Sequence, residues 1–321
     1  MAIVGHWKDL TELSKLVQDK LLLAGVIEEI VEEGQLLPKL PVFSIDTKSI
    51  IYYREKTLPS ANFYGIGEQI PWSADVEYSD QVECTLKRIA RQDALDNFVM
   101  KTYRNPNDYR AMVLSQLRKG CMRTIENKLI YGDSSVDIKE FNGLRVLTDA
   151  TMSTDQNGAL SLANLRLAID KVKPKPDFIL MPFELQRRMD AATWEAGINA
   201  GAIIRVAAGP QGLGERVTWF ENVPIVPSDY LVKENADGKE DTAGTRYSVY
   251  LVRLGQIQQG GVSLAVGGET GGPDFFHITE LDELEDYDAG GIRLVAYCAL
   301  ALGSTKSLYH IHNIADAAIV A

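Results

Sequence analysis

Residues 105–133 read NPNDYRAMVLSQLRKGCMRTIENKLIYGD, and this stretch predicts one long helix. Asn105 can cap the first turn, and Pro106 suits a position where no amide donor is needed. Gly132 follows the last apolar residue and predicts a left-handed stop. The roughly 25 residues between these ends span about 37 Å, about twice the length of an average helix. We call this segment the spine helix.

Apolar residues recur at every fourth position of the spine helix. They are Tyr109, Val113, Leu117, Cys121, Ile125 and Leu129. Because four residues overshoot one turn by about 40°, the apolar line winds around the helix, and we expect several partners to cover it. The opposite face is expected to be solvated or to meet a neighbouring subunit; it carries Ser115, Lys119, Arg123 and Glu126. The alternative is the ordinary core helix of an enzyme.

The composition predicts a soluble globular protein. The 321 residues are 45% apolar and 24% charged, which suits one large or two moderate domains. A net charge of -11 argues against a protein that grips nucleic-acid phosphates. Cys84, Cys121 and Cys298 show no CxxC spacing, so we expect a reducing cytosol and neither disulfides nor a thiolate metal site. Without a signal peptide pattern or a run of about eighteen apolar residues, neither export by that route nor a membrane span is predicted.

Two predicted strands, at 48–54 and 82–89, flank a long segment without a regular pattern, residues 55–81. This segment contains four aromatic residues, Phe63, Tyr64, Trp72 and Tyr78. A structureless segment of this length is rare in a compact domain and is usually functional. Exposed aromatic residues indicate an arm that lies on another subunit, and a lid over an active site is the alternative.

The other elements are predicted from shorter patterns. Residues 11–33 predict a helix, bent or split at Gly25, and residues 36–45 are expected to be extended because of Pro38 and Pro41. After the spine helix we predict helices at 162–172, capped by Ser161, and from Pro182 to about 192. Strands are predicted at 178–181, 217–220, 224–226 and 247–253. Strands at 275–281, 292–302 and 307–314 form a late hairpin region with an acidic turn at 282–288.

The sequence offers no motif for chemistry. His310 and His312 share one face of a predicted strand but lack a third metal ligand nearby. Gly209, Gly212 and Gly214 do not have the spacing of a phosphate loop and predict a mobile glycine loop. The acidic turn lacks the residue order of an EF-hand. We therefore predict no catalytic residues, no metal ligands and no cofactor.

Six stretches carry a resemblance to a known family. They are YYREKTLPSA (52–61), IGEQIP (66–71), YGD at the helix end (131–133), EFNGLRVL (140–147), LANLRLAIDKVKPKPDFILMPFELQRRM (162–189) and NVPIV (222–226). In this order they resemble the major capsid proteins of tailed bacteriophages, over nearly the whole chain. The resemblance implies an α+β Hong Kong 97-type capsid fold with a long spine helix, an extended-loop hairpin, a peripheral domain and an axial α/β domain.

The resemblance also implies domain bounds. The N-terminal arm would comprise residues 1–47 and the extended loop 48–81. The peripheral domain would comprise 82–142 and 273–321, with the spine helix at 105–131. The axial domain would comprise 143–272.

Subunit contacts are implied at three places. The extended loop is expected to lie over the neighbouring subunit, the glycine-rich tip at 194–216 to surround the fivefold and sixfold axes, and the turn at 282–291 to approach a threefold axis. The expected interface residues are Lys56, Phe63, Tyr64, Trp72, Tyr78, Trp194, Arg205, Arg216, Glu283, Asp286 and Arg293. Some members crosslink through a lysine in the loop, but Lys56 has no partner asparagine that we can name, so no crosslink is predicted.

The function implied by the resemblance is structural. The chain would be a non-enzymatic homo-oligomer that self-assembles, through pentamers and hexamers, into the icosahedral head of a tailed double-stranded DNA bacteriophage. It would be made in the host bacterial cytoplasm and reside in the virion. Its implied partners are a portal, packaged DNA bound without sequence specificity, and a separate scaffolding protein, because the folded pattern begins by Thr11; no membrane is implied. The alternatives are an encapsulin, which shares the fold and encloses cargo enzymes, and an α/β enzyme with a long lid.

Overall fold

The structure, a computed structural model, describes residues 35–55, 61–70, 72, 78–102, 106–192, 204–208, 216–267, 275–281, 284 and 288–320. For 78–80, 99–100, 102, 106–109, 204–208 and 216–217 it describes the backbone alone. Four predicted features lie wholly or mostly outside these residues: the helix at 11–33, the Asn105 cap, the glycine loop and the acidic turn.

The strands are β1 (Val42–Ile45), β2 (Ser49–Glu55), β3 (Tyr78–Thr85), β4 (Lys87–Asp96), β5 (Ser153–Ser161), β6 (Phe178–Met181), β7 (Ile204–Ala208), β8 (Arg216–Phe220), β9 (Val223–Pro227), β10 (Arg246–Val252), β11 (Val262–Gly267), β12 (His277–Leu281), β13 (Ala289–Leu302) and β14 (Leu308–Val320). The helices are α1 (Asn97–Thr102), α2 (Pro106–Tyr131), α3 (Leu144–Leu147), α4 (Leu162–Lys171) and α5 (Phe183–Ala192). Short 3-10 turns lie at Leu37–Lys39, Ala150–Met152, Ile257–Gln259 and Thr305–Ser307.

The chain forms two compact units. Among the described residues, the smaller unit takes its members from Ile89–Met122 and Phe276–Val295. The larger unit takes its members from Glu33–Arg88, Arg123–Phe275 and Ala296–Ala321. The domain bounds implied by the resemblance stay a prediction.

The spine helix is confirmed as α2, whose 26 residues span about 39 Å. Its apolar line is buried wherever the side chains are described, at Val113, Leu117, Cys121, Ile125 and Leu129. Ser115 and Lys119 on the opposite face are exposed, as predicted. The spacing of four therefore marks the packed side of this helix.

Two details of the spine helix differ from prediction. Gly132 does not adopt a positive φ. An added Cβ there would lie 2.3 Å from the Phe141 carbonyl oxygen, so the close approach of a second backbone requires glycine. Glu126, predicted to be solvated or to meet a neighbouring subunit, is buried within its own chain, and one of its carboxyl oxygens accepts the Leu37 amide at 2.9 Å. That hydrogen bond compensates part of the cost of burying the side chain.

The smaller unit is built around the first part of β13. Strands β4 and β12 both pair with β13. The β12 pairing is antiparallel, with His277 opposite Val295 and Leu281 opposite Gly291, which confirms the predicted late hairpin. At the start of α1, the Asn97 side-chain amide donates to the Asp288 carboxylate at 2.8 Å.

A seven-stranded mixed sheet, counted over the described residues, lies at the centre of the larger unit. Its order is β5-β14-β10-β6-β9-β8-β7. Strand β14 is antiparallel to β10, with His310 opposite Tyr250, and parallel to β5. Helices α4 and α5 pack against β14. The core that they share with the sheet includes Leu165, Ile169, Leu185, Met189, Val249 and Ile311.

Most elements predicted after the spine helix are confirmed. The Ser161 hydroxyl caps α4 by accepting the Asn164 amide at 3.5 Å. Strand β6 is buried at every position, as its four consecutive apolar residues predict. The strands predicted between 217 and 314 are observed as β8, β9, β10, β12, β13 and β14.

Three predictions about extended segments were wrong. The single strand predicted at 82–89 is two strands, β3 and β4, which are separated by Leu86. Residues 36–45 are not extended throughout, because Pro38 lies in the first turn of the Leu37–Lys39 helix, where its missing amide costs nothing. Residues 204–208, expected to belong to a loop, form β7, which pairs antiparallel with β8. The partner of β4 is β13, which is distant in sequence, so the local pattern of residues 82–89 does not reveal where one strand ends and the next begins.

Candidate subunit interface

The arm predicted from the sequence begins as a two-stranded hairpin. Strands β2 and β3 pair antiparallel, from Ser49 opposite Thr85 to Glu55 opposite Tyr78. Half-buried and exposed side chains alternate along β2 after its first residue, as the period-two pattern of 48–54 predicts. The half-buried set is Ile50, Tyr52 and Arg54, and the exposed set is Ile51, Tyr53 and Glu55.

The half-buried side of this hairpin is fastened to backbone carbonyls at the end of β13. The Tyr52 hydroxyl and the Arg54 Nη2 both donate to the Leu302 carbonyl oxygen at 2.6 Å. The Arg54 Nε donates to the Gly303 carbonyl oxygen at 2.9 Å. Burial raises the pKa of Tyr52 against the opposing effect of Arg54, so Tyr52 remains a hydrogen-bond donor at neutral pH. The hairpin therefore holds the arm at a defined place on the larger unit.

The tip of the arm presents large apolar side chains to solvent. Phe63 is 105% exposed, Ile66 112% and Trp72 103%, while Tyr64 is 38% exposed. A turn at Gly67, which has a φ of 85°, is closed by the Glu68 carboxylate, which accepts the Gly65 amide at 2.7 Å. This part of the arm thus has an ordered turn but does not bury its own apolar side chains.

The exposed side chains of the tip together offer an apolar area comparable with the largest apolar patch of a typical monomer, and such patches are often functional. Phe63 and Trp72 alone would bury together about 300–500 Å² in a contact. The largest apolar patch on a typical monomer covers about 300–600 Å², and Ile66 and Ile70 add to the surface here. The tip therefore has the size and composition of the centre of a protein–protein contact.

The structure places the remaining predicted interface residues as follows. Tyr78 is the first residue of β3. Arg205 and Arg216 lie in the β7–β8 hairpin, opposite Trp219 and Ala208 respectively. Arg293 is exposed on β13, and its Nε donates to the Gln92 side chain at 3.2 Å. Lys56, Trp194, Glu283 and Asp286 lie outside the described residues. The part that each of these residues has in subunit contacts stays a prediction.

Sequence reasoning missed a buried polar cluster in the larger unit. The Tyr131 hydroxyl, at the end of the spine helix, is hydrogen-bonded to Glu234 Oε1 at 2.5 Å. The other carboxyl oxygen of Glu234 is hydrogen-bonded to the Ser248 hydroxyl on β10. The same hydroxyl is 2.9 Å from His310 Nε2 on β14, and the His310 ring stacks on Tyr250 at 4.3 Å between centroids. We call Tyr131, Glu234, Ser248 and His310 the buried cluster.

Burial dominates the acid–base properties of this cluster. It raises the pKa of the Glu234 carboxyl, against the opposing hydrogen bonds of Ser248 and Tyr131. It lowers the pKa of His310 from 6.5 to about 3 and raises those of Tyr131 and Tyr250. His310 and both tyrosines are therefore neutral at pH 7.

Two histidines lie close together on β14. The rings of His310 and His312 are 5.2 Å apart, and each has a nitrogen engaged, with Ser248 and with the Ala236 carbonyl respectively. Among the described residues, no group of three or more metal-ligating side chains is gathered in one place. No described helix is long and apolar enough to cross a membrane.

A small cavity lies beside the base of the arm, with a volume of about 140 Å³. Its lining includes Tyr52, Cys84, Lys87, Phe141 and Leu300. Pockets that take small-molecule ligands usually have volumes of about 300–1,000 Å³, so this cavity is small for a substrate site.

Solved structures match the chain over nearly its whole length, whereas neither a protein-family model nor a curated protein matches it. The SrpI encapsulin of Synechococcus elongatus PCC 7942 has a TM-score of 0.70 at 16% identity, covering 97% of this chain and 96% of that one. The capsid of a native GTA particle has a TM-score of 0.67 at 11% identity, covering 95% and 98%. A structure from Mycobacterium phage Adephagia has a TM-score of 0.58 at 14% identity, covering 94% and 97%.

At these identities the likeness shows the fold. The arm, the spine helix and the mixed sheet occur in one chain whose structural neighbours include an encapsulin, the capsid of a GTA particle and the capsid of Cyanophage P-SCSP1u. The last of these has a TM-score of 0.56 at 10% identity and covers 91% of each chain. The chain has the Hong Kong 97-type capsid fold that its sequence resembles.

Proposed function

We propose that this chain is the major capsid protein of a tailed double-stranded DNA bacteriophage. It self-assembles through pentamers and hexamers into the icosahedral head that encloses the genome. The observation that carries this proposal is the likeness, over more than nine tenths of the chain, to the capsids of a cyanophage and of a GTA particle. In such a shell the same subunit is repeated, so each interface is formed many times.

The exposed arm supports this proposal. An apolar tip on one copy that meets a different surface on the next copy makes a head-to-tail contact, and such contacts close into rings when the rotation between copies allows it. Phe63, Ile66 and Trp72 leave the solvent in such a contact. Because the contacts are repeated around every ring, a closed shell becomes stable even when each contact is weak.

The negative net charge of the chain is compatible with a shell that encloses DNA. The chain carries a net charge of -11, so a wall made of it repels phosphate on average and does not compete with packaging or release. We therefore propose that packaged DNA is enclosed without sequence-specific binding. The proposal also includes a portal, a separate scaffolding protein, no membrane partner, and location in the virion after synthesis in the host bacterial cytoplasm.

The chemistry near the arm supports a structural role over the enzyme alternative. Burial raises the pKa of the Cys84 thiol to about 11 and that of Cys298 to about 12. Both are thus neutral thiols at pH 7, whereas a catalytic cysteine needs a lowered pKa. We infer that the arm makes subunit contacts rather than covering a substrate.

A second candidate is the shell of an encapsulin-like nanocompartment. The likeness to the SrpI encapsulin, with a TM-score of 0.70, favours it. The two candidates predict different contents and gene neighbours: packaged DNA with terminase and portal genes for the phage head, and cargo enzymes with a cargo gene for the compartment.

The test is electron microscopy of the overexpressed full-length protein, alone and with its neighbouring genes, after sizing by light scattering. We expect closed icosahedral shells, whose content, DNA or enzyme, decides between the two candidates. A matched pair of variants tests the arm: Trp72→Ala is expected to reduce assembly, whereas Val136→Ala, which truncates a side chain 82% exposed outside the arm, is not. A uniform monomer or dimer under all conditions would overturn both shell proposals.

A further inference from the structure

The buried cluster contains three hydrogen bonds that need one proton each. They join Tyr131 to Glu234, Glu234 to Ser248, and Ser248 to His310. Tyr131 donates to the carboxyl in any case, because its phenol is neutral. The Ser248 hydroxyl has a single proton, so it donates either to Glu234 or to His310.

Because Ser248 has a single hydroxyl proton, the protons of the cluster can be arranged in two ways that make all three hydrogen bonds. If Glu234 is ionised, Ser248 donates to the carboxylate and His310 donates from Nε2 to Ser248. If Glu234 is protonated, the carboxyl donates to Ser248, and Ser248 donates to an unprotonated His310 Nε2. The arrangements differ by one proton on Glu234 and by the tautomer of His310.

The surroundings favour the protonated arrangement. Glu234 has 0% of its surface exposed. The positive charge of Arg145 lowers the pKa of Glu234, but the Arg145 guanidinium is paired with the Asp133 carboxylate at 2.7 Å. A buried carboxylate without a paired cation costs far more free energy than a neutral carboxyl with the same hydrogen bonds.

The other titratable and charged groups around Glu234 do not change this balance. Tyr131 on the spine helix, Tyr250 on β10 and His310 on β14 are neutral at pH 7. The remaining groups are His312, which is half-buried on β14, and Arg246, which is half-buried at the start of β10 and pairs with Glu234 through its backbone. The exposed residues next to Glu234 in the chain are Lys233, Asp237, Lys239, Glu240 and Asp241.

We propose that Glu234 is a protonated carboxylic acid in the folded subunit and forms a proton-dependent clamp between the end of the spine helix and the seven-stranded sheet. When the clamp ionises, Glu234 releases one proton to solvent, the Ser248 hydroxyl turns back to the carboxylate, and the His310 proton moves from Nδ1 to Nε2. The hydrogen bonds remain, but a charge is now buried. This property goes beyond assembly and holds whether or not the shell proposal is correct.

The clamp makes stability depend on pH in a definite direction. Burial raises the pKa of Glu234 in the folded chain above its value in the unfolded chain. Its contribution to stability is therefore fully present below the unfolded pKa and is lost as the pH rises through the folded one. His310 acts in the opposite direction on the acid side, so the two residues confine the clamped state to a window of pH.

The test compares urea unfolding of the full-length protein and three variants between pH 5 and pH 9. In Glu234→Gln the amide accepts from Tyr131 and donates to Ser248, as the neutral acid does. At pH 6 we expect the unfolding equilibrium constant of this variant to stay within about tenfold of the wild-type value. In wild type the constant should rise as the pH is raised towards 9, and in the variant this rise should be absent. Glu234→Ala removes the hydrogen bonds and should unfold more readily at every pH, by more than tenfold. Glu240→Gln changes an exposed carboxylate in the same loop and should keep the wild-type pH dependence.

A second readout does not depend on stability. The chain has four histidines, so the ring nitrogens can be assigned by nitrogen-15 NMR. We expect His310 to carry its proton on Nδ1 at pH 7. A proton on Nε2 at pH 7, or a Glu234→Gln variant that unfolds more than a hundredfold more readily at pH 6, would overturn the proposal.

Discussion

Acid should destabilise this subunit through His310. The side chain is only 4% exposed on β14, with its ring stacked on Tyr250 and its Nε2 hydrogen-bonded to Ser248. Burial, with smaller contributions from His312 and Arg145, lowers the pKa of His310 from 6.5 to about 3. Between these values the unfolded chain binds a proton that the folded chain excludes. Stability contributed by the neutral ring is therefore lost as the pH falls through this window.

The magnitude follows from the width of that window. From 6.5 to about 3, at roughly 1.4 kcal/mol per pH unit, the full loss is about 4 to 5 kcal/mol. About 3 kcal/mol of it is gone by pH 4, from a total stability that is about 5–15 kcal/mol for a typical domain. The raised pKa values of Glu234 and Glu126 act in the opposite direction, and the lowered pKa of Asp133 adds to the acid loss. The effect of His310 must therefore be measured as a difference between variants.

The perturbation is His310→Gln. At pH 7 we expect this variant to be less stable than wild type by about 1–2 kcal/mol, because it loses the stacked ring. Between pH 7 and pH 4 the difference should shift by about 3 kcal/mol in favour of the variant, because the variant no longer excludes a proton, so that at pH 4 the variant is the more stable protein. The same comparison in a Glu234→Gln background removes the opposing titration of the neighbouring carboxyl.

The assay is urea unfolding of the monomeric full-length chain at pH 7, 6, 5 and 4, followed by circular dichroism and tryptophan fluorescence to check that the transitions coincide. His312→Gln is the control, since it removes a histidine two residues away and leaves His310 in place. The unfolding free energy of this variant should fall steeply between pH 7 and pH 4, as that of wild type does. Equal pH dependence of wild type and His310→Gln would refute the reasoning.

Three further substitutions, with a fourth as a matched control, test the arm, the spine helix and the turn that follows it. Trp72→Ala should leave the unfolding free energy of the monomer unchanged, because the side chain is 103% exposed, and should reduce shell formation measured by light scattering. Leu117→Ala should cost about 2–5 kcal/mol in urea unfolding, because it truncates a core side chain; equal effects of these two changes on folding would overturn the division of roles. Gly132→Ala places a Cβ 2.3 Å from the Phe141 carbonyl oxygen and should cost about 1–3 kcal/mol. Gly120→Ala, on the spine helix at a position where an added Cβ would meet no other atom within 4 Å, should instead stabilise the protein by up to about 1 kcal/mol. The opposite order of the two glycine variants in thermal unfolding would contradict the packing argument.

The parts of the fold that the sequence predicts are those with local causes. The spine helix repeats its apolar residues every fourth position, and α4 has Ser161 at its cap, so both elements are specified within their own residues. Glu126 is a residue whose environment the local pattern does not predict. Its position in the helical period assigns it to the polar face, but Leu37, a residue far away in sequence, covers it and donates a hydrogen bond to it. A helical period identifies a face and does not identify what packs on it.

The candidate interface has a local cause in the sequence, whereas the buried cluster does not. The exposure of Phe63 and Trp72 follows from a long segment without regular structure that is rich in aromatic residues, and the structure confirms that exposure. The buried cluster assembles Tyr131, Glu234, Ser248 and His310 from four separate segments, with no spacing that marks them. Its one sequence signal is the pair of histidines on a strand, for which the sequence offers no third metal ligand. In the structure His310 is a buried, hydrogen-bonded ring beside the half-buried His312.

The architecture explains why the fold is matched at 11–16% identity. The arm is fastened through Tyr52 and Arg54 to the carbonyls of Leu302 and Gly303, and every residue type supplies a carbonyl at those two positions. In the shell proposed above, arm contacts that are individually weak and repeated would let their side chains change in small steps while the closed assembly persists. Few positions are then held to one residue type, and those that are, such as Gly132, are set by the spacing between backbones. A chain of this kind is better identified by the order of its elements than by any short motif.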